Sequence, residues 1–256
     1  MKAFLVIVVI YLVICVYIYV NQRAFIYFPQ PGVLFTGETS LEIRSGEITL
    51  RGWVLNEGCD EAVIYFGGNA ERPEVSIPDF RHTFDNQTVY LINYRGYGES
   101  DGSPTEEGLC ADALAIYDFV SQNHLEVSVI GRSLGTGVAT YLASARDINR
   151  LVLVEPFDSM VSVARAAYPF FPVRILLKDR YDSGGRAGRI TARTLIIIAG
   201  RDEIIPGWST ERLISEFDQN ILDVVIIEHA THNDIQNYPQ YYMVLGEFIT
   251  GMVKEE

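Results

Sequence analysis

Six short, nearly uninterrupted apolar runs recur along the chain, at residues 62–66, 88–94, 127–130, 151–154, 195–199 and 224–227. A strand that is apolar on both faces must be covered on both faces, so these runs call for an α/β fold with a mostly parallel, doubly wound sheet and helices on both sides. The segments between them have helical periodicity. Leu109, Ala113, Ile116, Tyr117 and Val120 make one apolar stripe behind Thr105, a capping residue followed by Glu106 and Glu107. A later helix carries Leu213, Ile214 and Phe217, and a last one is expected from about Pro239 to Met252. Ahead of the apolar runs, Leu41 to Leu55 alternates around Ser45-Gly46, which reads as a hairpin. In sheets of this kind ligands bind beyond the carboxyl ends of the strands.

The first segment obeys a different rule. Residues Ala3 to Val20 carry no charge and have no polar face. As a helix they would rise about 27 Å, close to the hydrocarbon thickness of a bilayer. Lys2 and Arg23 flank the run, and Tyr17 and Tyr19 suit the interface. A buried core helix would show a polar face, and a cleaved signal would carry small residues before the cut; "VYIYVNQ" has none. Residues 1–23 are therefore expected to be an uncleaved, single-pass membrane anchor, and residues 24–256 one globular domain. The amino terminus and Lys2 against Arg23 favour a cytoplasmic amino terminus, with the domain on the non-cytoplasmic side.

The 256 residues carry a net charge of −13, which disfavours electrostatic binding to nucleic acid. Cys15, Cys59 and Cys110 form no disulfide framework, and with Cys15 in the apolar run at most Cys59 and Cys110 could pair. No zinc-type or phosphate-loop spacing is present, so neither metal nor cofactor is expected.

The stretch "VIGRSLGTG" at residues 129–137 places Ser133 between an apolar run and a small-residue helix. Gly-x-Ser-x-Gly by itself is a weak signal, but strand–turn–helix is the setting of a nucleophile elbow. A serine hydroxyl needs a base and a group to orient that base. His229 and His232 both follow the run at 224–227, with His232 in the loop proper, whereas His82 and His124 belong to helix ends. Asp202 follows the run at 195–199, and Asp158, after the run at 151–154, is its rival. Oxyanion donors are expected from the backbone N–H groups of Leu134 and of Asn69, in the loop Gly67-Gly68-Asn69-Ala70.

These residues carry a resemblance. "AFIYFPQP", "YFGGNAE", "NYRGYGESDGSPTEEGLCADA", "VIGRSLGTGVA", "PFDSMVSVARAAYPFFPVRILLKDRYDS", "AGRDEIIP" and "THNDI" span nearly the whole chain. It resembles the α/β-hydrolase superfamily and, within it, the membrane-anchored α/β-hydrolase domain-containing serine hydrolases near the serine-aminopeptidase and lysophospholipase-like branch. The resemblance implies Ser133, Asp202 and His232 as the catalytic triad, with Asn69 and Leu134 as oxyanion donors. The chain departs from the family pattern in having Gly67 where a histidine is common and Glu71 where a glycine is common. Gly67 loosens the oxyanion loop, and Glu71 is expected to bring an acid near the serine and disfavour anionic substrates.

About forty residues separate the runs at 151–154 and 195–199, room for a small lid at about 158–192. Its Tyr168, Phe170 and Phe171 are candidate pocket residues along with Glu71. The stretch between the two runs is also basic: Arg165, Arg174, Lys178, Arg180, Arg186, Arg189 and Arg193 outnumber Glu155, Asp158, Asp179 and Asp182. Those cations either solvate a surface or hold the lid against anionic lipid heads. The expected activity is hydrolysis of a carboxylic ester or thioester, with a lipid-like acyl group, through an acyl-enzyme on Ser133. The alternatives are an amide or peptide hydrolase of the serine-aminopeptidase type and a catalytically silent, membrane-tethered binding protein.

Overall fold

The computed structural model describes residues 1–32 and 39–251. The apolar amino-terminal run forms one helix, α1 (Lys2–Asn21), followed by the single turn α2 (Arg23–Ile26). α1 is long and apolar enough to cross a membrane, and only 6% of it is buried against the rest of the chain.

The expected hairpin is β1 (Thr39–Ser45) and β2 (Ile48–Leu55), turning at Gly46, whose φ of 60° suits a residue without a Cβ. There follow β3 (Glu61–Phe66), α3 (Ile77–Thr83), β4 (Thr88–Ile92), α4 (Glu106–Val120), β5 (Glu126–Arg132), α5 (Leu134–Ala145) and β6 (Arg150–Val154). β4 stops two residues before its apolar run does, because Tyr94 turns the chain and accepts the Tyr97 N–H. α4 starts where its capping residue directs, with the Thr105 hydroxyl accepting the Gly108 N–H at 2.9 Å.

The segment expected to form a lid contains α6 (Met160–Ala167), α7 (Val173–Leu176) and α8 (Gly184–Ala187), with Pro169 and Pro172 between the first two. The chain ends with β7 (Arg193–Ala199), α9 (Gly207–Glu216), β8 (Leu222–Ile227) and α10 (Pro239–Thr250). Gly251, at φ 70°, caps α10 in the left-handed region, and Met252 lies outside the described residues.

Among the described residues the strands form an eight-stranded sheet in the order β1-β2-β4-β3-β5-β6-β7-β8. The hairpin and the β2–β4 pair are antiparallel, and every other pairing is parallel. Alternate side chains of each central strand feed opposite cores. Ile64 and Val129 belong to one buried cluster with α4 and α5, whereas Val63, Tyr65 and Ile130 belong to another with α3 and α10. Burial on both faces accounts for the unbroken apolar runs of the central strands, whereas β8, at the sheet edge, leaves Val224 and Ile226 exposed. Cys15, Cys59 and Cys110 are all free, so the pairing that the sequence allowed between the last two is not made.

Candidate active site

The carboxyl end of β5 runs directly into a tight turn. Ser133 sits there at φ 48°, ψ −115°, between the last residue of β5 and the first of α5. A non-glycine residue holds such a conformation only when its surroundings impose it. Ser133 N–H donates to the Val154 carbonyl at 2.9 Å, and its own carbonyl accepts the Thr136 N–H at 2.9 Å and hydroxyl at 2.6 Å. The flanking glycines allow the close approach. A Cβ on Gly131 would lie 2.5 Å from the Gly135 oxygen, and one on Gly135 would lie 2.0 Å from the Phe66 oxygen.

Loops from two later strands meet this serine. His232 Nε2 is 2.9 Å from Ser133 Oγ, and His232 Nδ1 is 2.8 Å from Asp202 Oδ2. The other carboxylate oxygen of Asp202 accepts the N–H groups of Ile204 and Ile205, each at 2.8 Å, which fixes its orientation. His229 is exposed and faces Arg201 at 3.4 Å. His82 ends α3, and His124 bridges the Tyr90 hydroxyl and the Cys59 carbonyl. Asp158 is tied into the root of the lid, where it accepts the hydroxyls of Ser162 at 2.8 Å and Ser209 at 2.6 Å.

Beneath the line lies a buried charged network. Arg132 donates from Nη2 to the His232 carbonyl at 3.0 Å and lies 3.6 Å from both Glu71 and Glu155. Burial works against its guanidinium, yet Glu71, Tyr65, Tyr241 and Glu155 outweigh that cost and raise its pKa above the ordinary arginine value. Glu155 is fully buried 3.6 Å from His232 Nδ1, and neither of its carboxylate oxygens has a hydrogen-bond partner among the described residues. Burial lifts its pKa to about 7, against the pull of His232 and Arg132. Ligand-type atoms of Glu155, Asp202 and His232 lie within 4.8 Å of one another. The 2.8 Å contact between His232 and Asp202 is a hydrogen bond, however, and it occupies the nitrogen that an ion would need.

The line opens into a cavity of about 590 Å³, a usual size for a small-molecule site. Ser133, His232, Asn69 and Leu134 border it at one end, and lid side chains, including Tyr168 and Phe171, supply apolar wall. Leu134 is the first residue of α5, so its N–H has no intrahelical partner. The Asn69 N–H has no acceptor among the described residues. The Asn69 peptide is held by its carbonyl, which accepts the Tyr97 hydroxyl at 2.7 Å and the Phe28 N–H at 3.1 Å. Phe170 and Glu71, the other two pocket candidates, are not part of the wall.

Residues 63–186 match the family model described as the alpha/beta hydrolase fold. An uncharacterized protein of Mycobacterium tuberculosis is 34% identical over 239 residues, covering 86% of this chain and 84% of that protein. The chain belongs to the α/β-hydrolase family. An uncharacterized membrane protein of Saccharomyces cerevisiae is 27% identical over 81% of this chain and 77% of its own length. Human alpha/beta hydrolase domain-containing protein 17B is 30% identical over 64% of this chain and 57% of its own length. Among solved structures, the Pyrococcus furiosus esterase Pf2001 superposes with a TM-score of 0.72 at 19% identity, over 88% of this chain and 99% of that one, a likeness of fold.

Within this α/β-hydrolase chain Gly67 and Glu71 are packed against each other. A Cβ added to Gly67 would lie 3.3 Å from the Glu71 carboxyl group, so Glu71 occupies space that a side chain at position 67 would contest. The carboxylate accepts the Gly68 N–H at 2.8 Å and the Tyr65 hydroxyl at 2.5 Å, which ties the loop down. It faces Arg132 and Gly68, away from the cavity wall.

Sequence reasoning passed over Arg132, Glu155 and the contribution of the amino-terminal segment. Arg132 occupies the variable position of the serine motif and Glu155 directly follows a strand end, so both had a positional signal. Ile18, Gln22, Phe25 and Ile26 had none, yet they line the cavity.

Proposed function

We propose that this protein is a membrane-anchored serine hydrolase that cleaves a carboxylic ester or thioester with a lipid-like acyl group. The observation that carries the reading is the unbroken line Ser133 Oγ–His232–Asp202 at 2.9 and 2.8 Å, at the end of an apolar cavity.

In this scheme His232 Nε2 takes the Ser133 proton as Oγ attacks the substrate carbonyl carbon. The negative charge on the carbonyl oxygen is stabilised by the backbone N–H groups of Asn69 and Leu134. The intermediate collapses as His232 returns the proton to the departing oxygen or sulfur, which leaves an acyl ester on Ser133. Water, deprotonated by the same imidazole, then attacks that ester, and His232 passes the proton to Ser133 Oγ as the acyl C–O bond breaks and the carboxylic acid leaves. Asp202 keeps Nδ1–H directed toward itself and stabilises the imidazolium.

Labelling of the full-length protein with a fluorophosphonate, lost in Ser133→Ala, tests the reading, followed by turnover on a panel of acyl esters and thioesters. Absence of labelling in folded wild-type protein would favour a silent binding protein. The anchor reading places the amino terminus in the cytoplasm and the catalytic domain on the other side. Protease protection in sealed vesicles of known orientation tests this, and digestion of the domain from the cytoplasmic face would reverse the assignment.

A further inference from the structure

α1 is more than a tether. Its buried or half-buried side chains, Val8, Cys15, Ile18 and Asn21, fall with Tyr11 and the adjoining Gln22 on one broad helical face, and that face meets the lid. The Tyr11 hydroxyl donates to the Phe170 carbonyl at 3.0 Å, and its ring stacks on Phe171 with centroids 5.9 Å apart. Gln22 donates to the Leu176 carbonyl at 3.0 Å and accepts the Lys178 N–H at 2.6 Å. Lys178 Nζ lies 4.1 Å from the Tyr19 ring centroid, and Arg23 pairs with Asp179 at 3.0 Å.

These contacts match in polarity along the helix. Aromatic lid residues face Tyr11, in the middle of the uncharged span, whereas the charged lid residues Lys178 and Asp179 face its end. Tyr11 lies ten residues from the end of α1, about 15 Å along the axis, or half the thickness of a hydrocarbon layer. Any bilayer that accommodates α1 therefore also surrounds the lid beside Tyr11. That part of the lid carries Phe170 and Ile175, which are 85% and 79% exposed, a costly arrangement in water and a favourable one in lipid. The cavity that ends at Ser133 has Ile18 and Phe25 on one side and Tyr168, Phe171 and Leu176 of the lid on the other.

We propose that the lid is a membrane-inserted element with Phe170 and Ile175 in the hydrocarbon of one leaflet. The cavity between α1 and the lid then admits, sideways from that leaflet, the hydrocarbon chain of a substrate dissolved in it. The proposal rests on the membrane-anchored hydrolase reading above and adds that the anchor helix is itself a wall of the acyl-chain site.

The test uses the full chain in phosphatidylcholine vesicles. Phe170→Trp is compared with Leu125→Trp, an exposed position that precedes β5 at the other end of the sheet from Ser133, after subtraction of the wild-type signal of Trp53 and Trp208. Lipids brominated along their acyl chains should quench Phe170→Trp strongly and Leu125→Trp little. Water-like, unquenched emission from Phe170→Trp overturns insertion. In the second arm, Ile18→Trp narrows the cavity from the anchor side and should lower the ratio of long-chain to short-chain ester turnover about tenfold, as expected when roughly two methylenes lose their burial. An unchanged ratio overturns the role of α1 as a wall. Fluorophosphonate labelling of the same samples separates the two readings. Its loss in wild type defeats the hydrolase assignment and leaves the quenching result standing, whereas persistent labelling with no quenching defeats insertion alone.

Discussion

Arg132 Nη2 donates to the carbonyl oxygen of His232 at 3.0 Å, so the residue beside Ser133 holds the loop that carries His232. The same guanidinium lies 3.6 Å from Glu71 and from Glu155, so one side chain joins the loop after β3, the turn at Ser133 and the His232 loop. Arg132→Met leaves two carboxylates buried without their cation and should cost about 3–5 kcal/mol of stability. Arg132→Lys keeps the charge but loses the planar fork. It should remain folded with kcat reduced about tenfold, read by thermal unfolding and ester kinetics on the same preparations.

Asp202 and Asp158 should separate cleanly. Asp202→Asn removes the acceptor that holds the His232 tautomer and should lower kcat by about 10³–10⁴ with little change in melting temperature. Asp158→Asn disturbs the hydroxyls of Ser162 and Ser209 and should lower melting temperature far more than kcat. The reverse pattern would exchange their roles.

Glu71→Gln keeps the shape of the side chain but removes the charge that faces Arg132. Because Glu71 holds the Gly68 N–H and is not part of the cavity wall, kcat should fall by a similar factor, about tenfold, for neutral and anionic esters. An effect confined to anionic esters would restore Glu71 as a charge filter on substrate.

Glu155 makes stability depend on pH. Its folded pKa, about 7, lies above the ordinary carboxylate value of 4.5, so the folded state binds its proton more tightly than the unfolded chain does. The resulting stabilisation is complete below about pH 4.5 and is lost as pH rises through about 7. Glu155→Gln lacks that loss. Its melting temperature relative to wild type should rise between pH 5 and pH 8, on the order of 1–3 kcal/mol in stability. A difference that stays constant over that range would count against a buried, titrating Glu155.

The strands, the turn at Ser133 and the placing of Asp202 and His232 after strand ends were legible in the sequence because each has a local cause. Double-sided burial makes strands uniformly apolar, a strained turn needs small neighbours at Gly131 and Gly135, and ligand groups gather after strand ends. What the sequence could not rank was partners. Asp158 and Asp202 both follow strands, but only the pairing of β7 with β8 brings Asp202 to His232, while α9 brings Ser209 to Asp158. Glu71 read as an acid near the site, and only the proximity of Arg132 and Gly68 turned its charge toward the scaffold.

The apolar helix α1 shows the same division most plainly. Its length and lack of charge are properties of consecutive residues, so the sequence alone determined that residues 3–20 can span a bilayer. Its part in the cavity depends on Tyr11 meeting Phe170 across 159 positions and Gln22 meeting Leu176 across 154. Contacts of that separation are made by the packing of the whole domain, so only the tertiary structure could decide that this helix also lines the cavity.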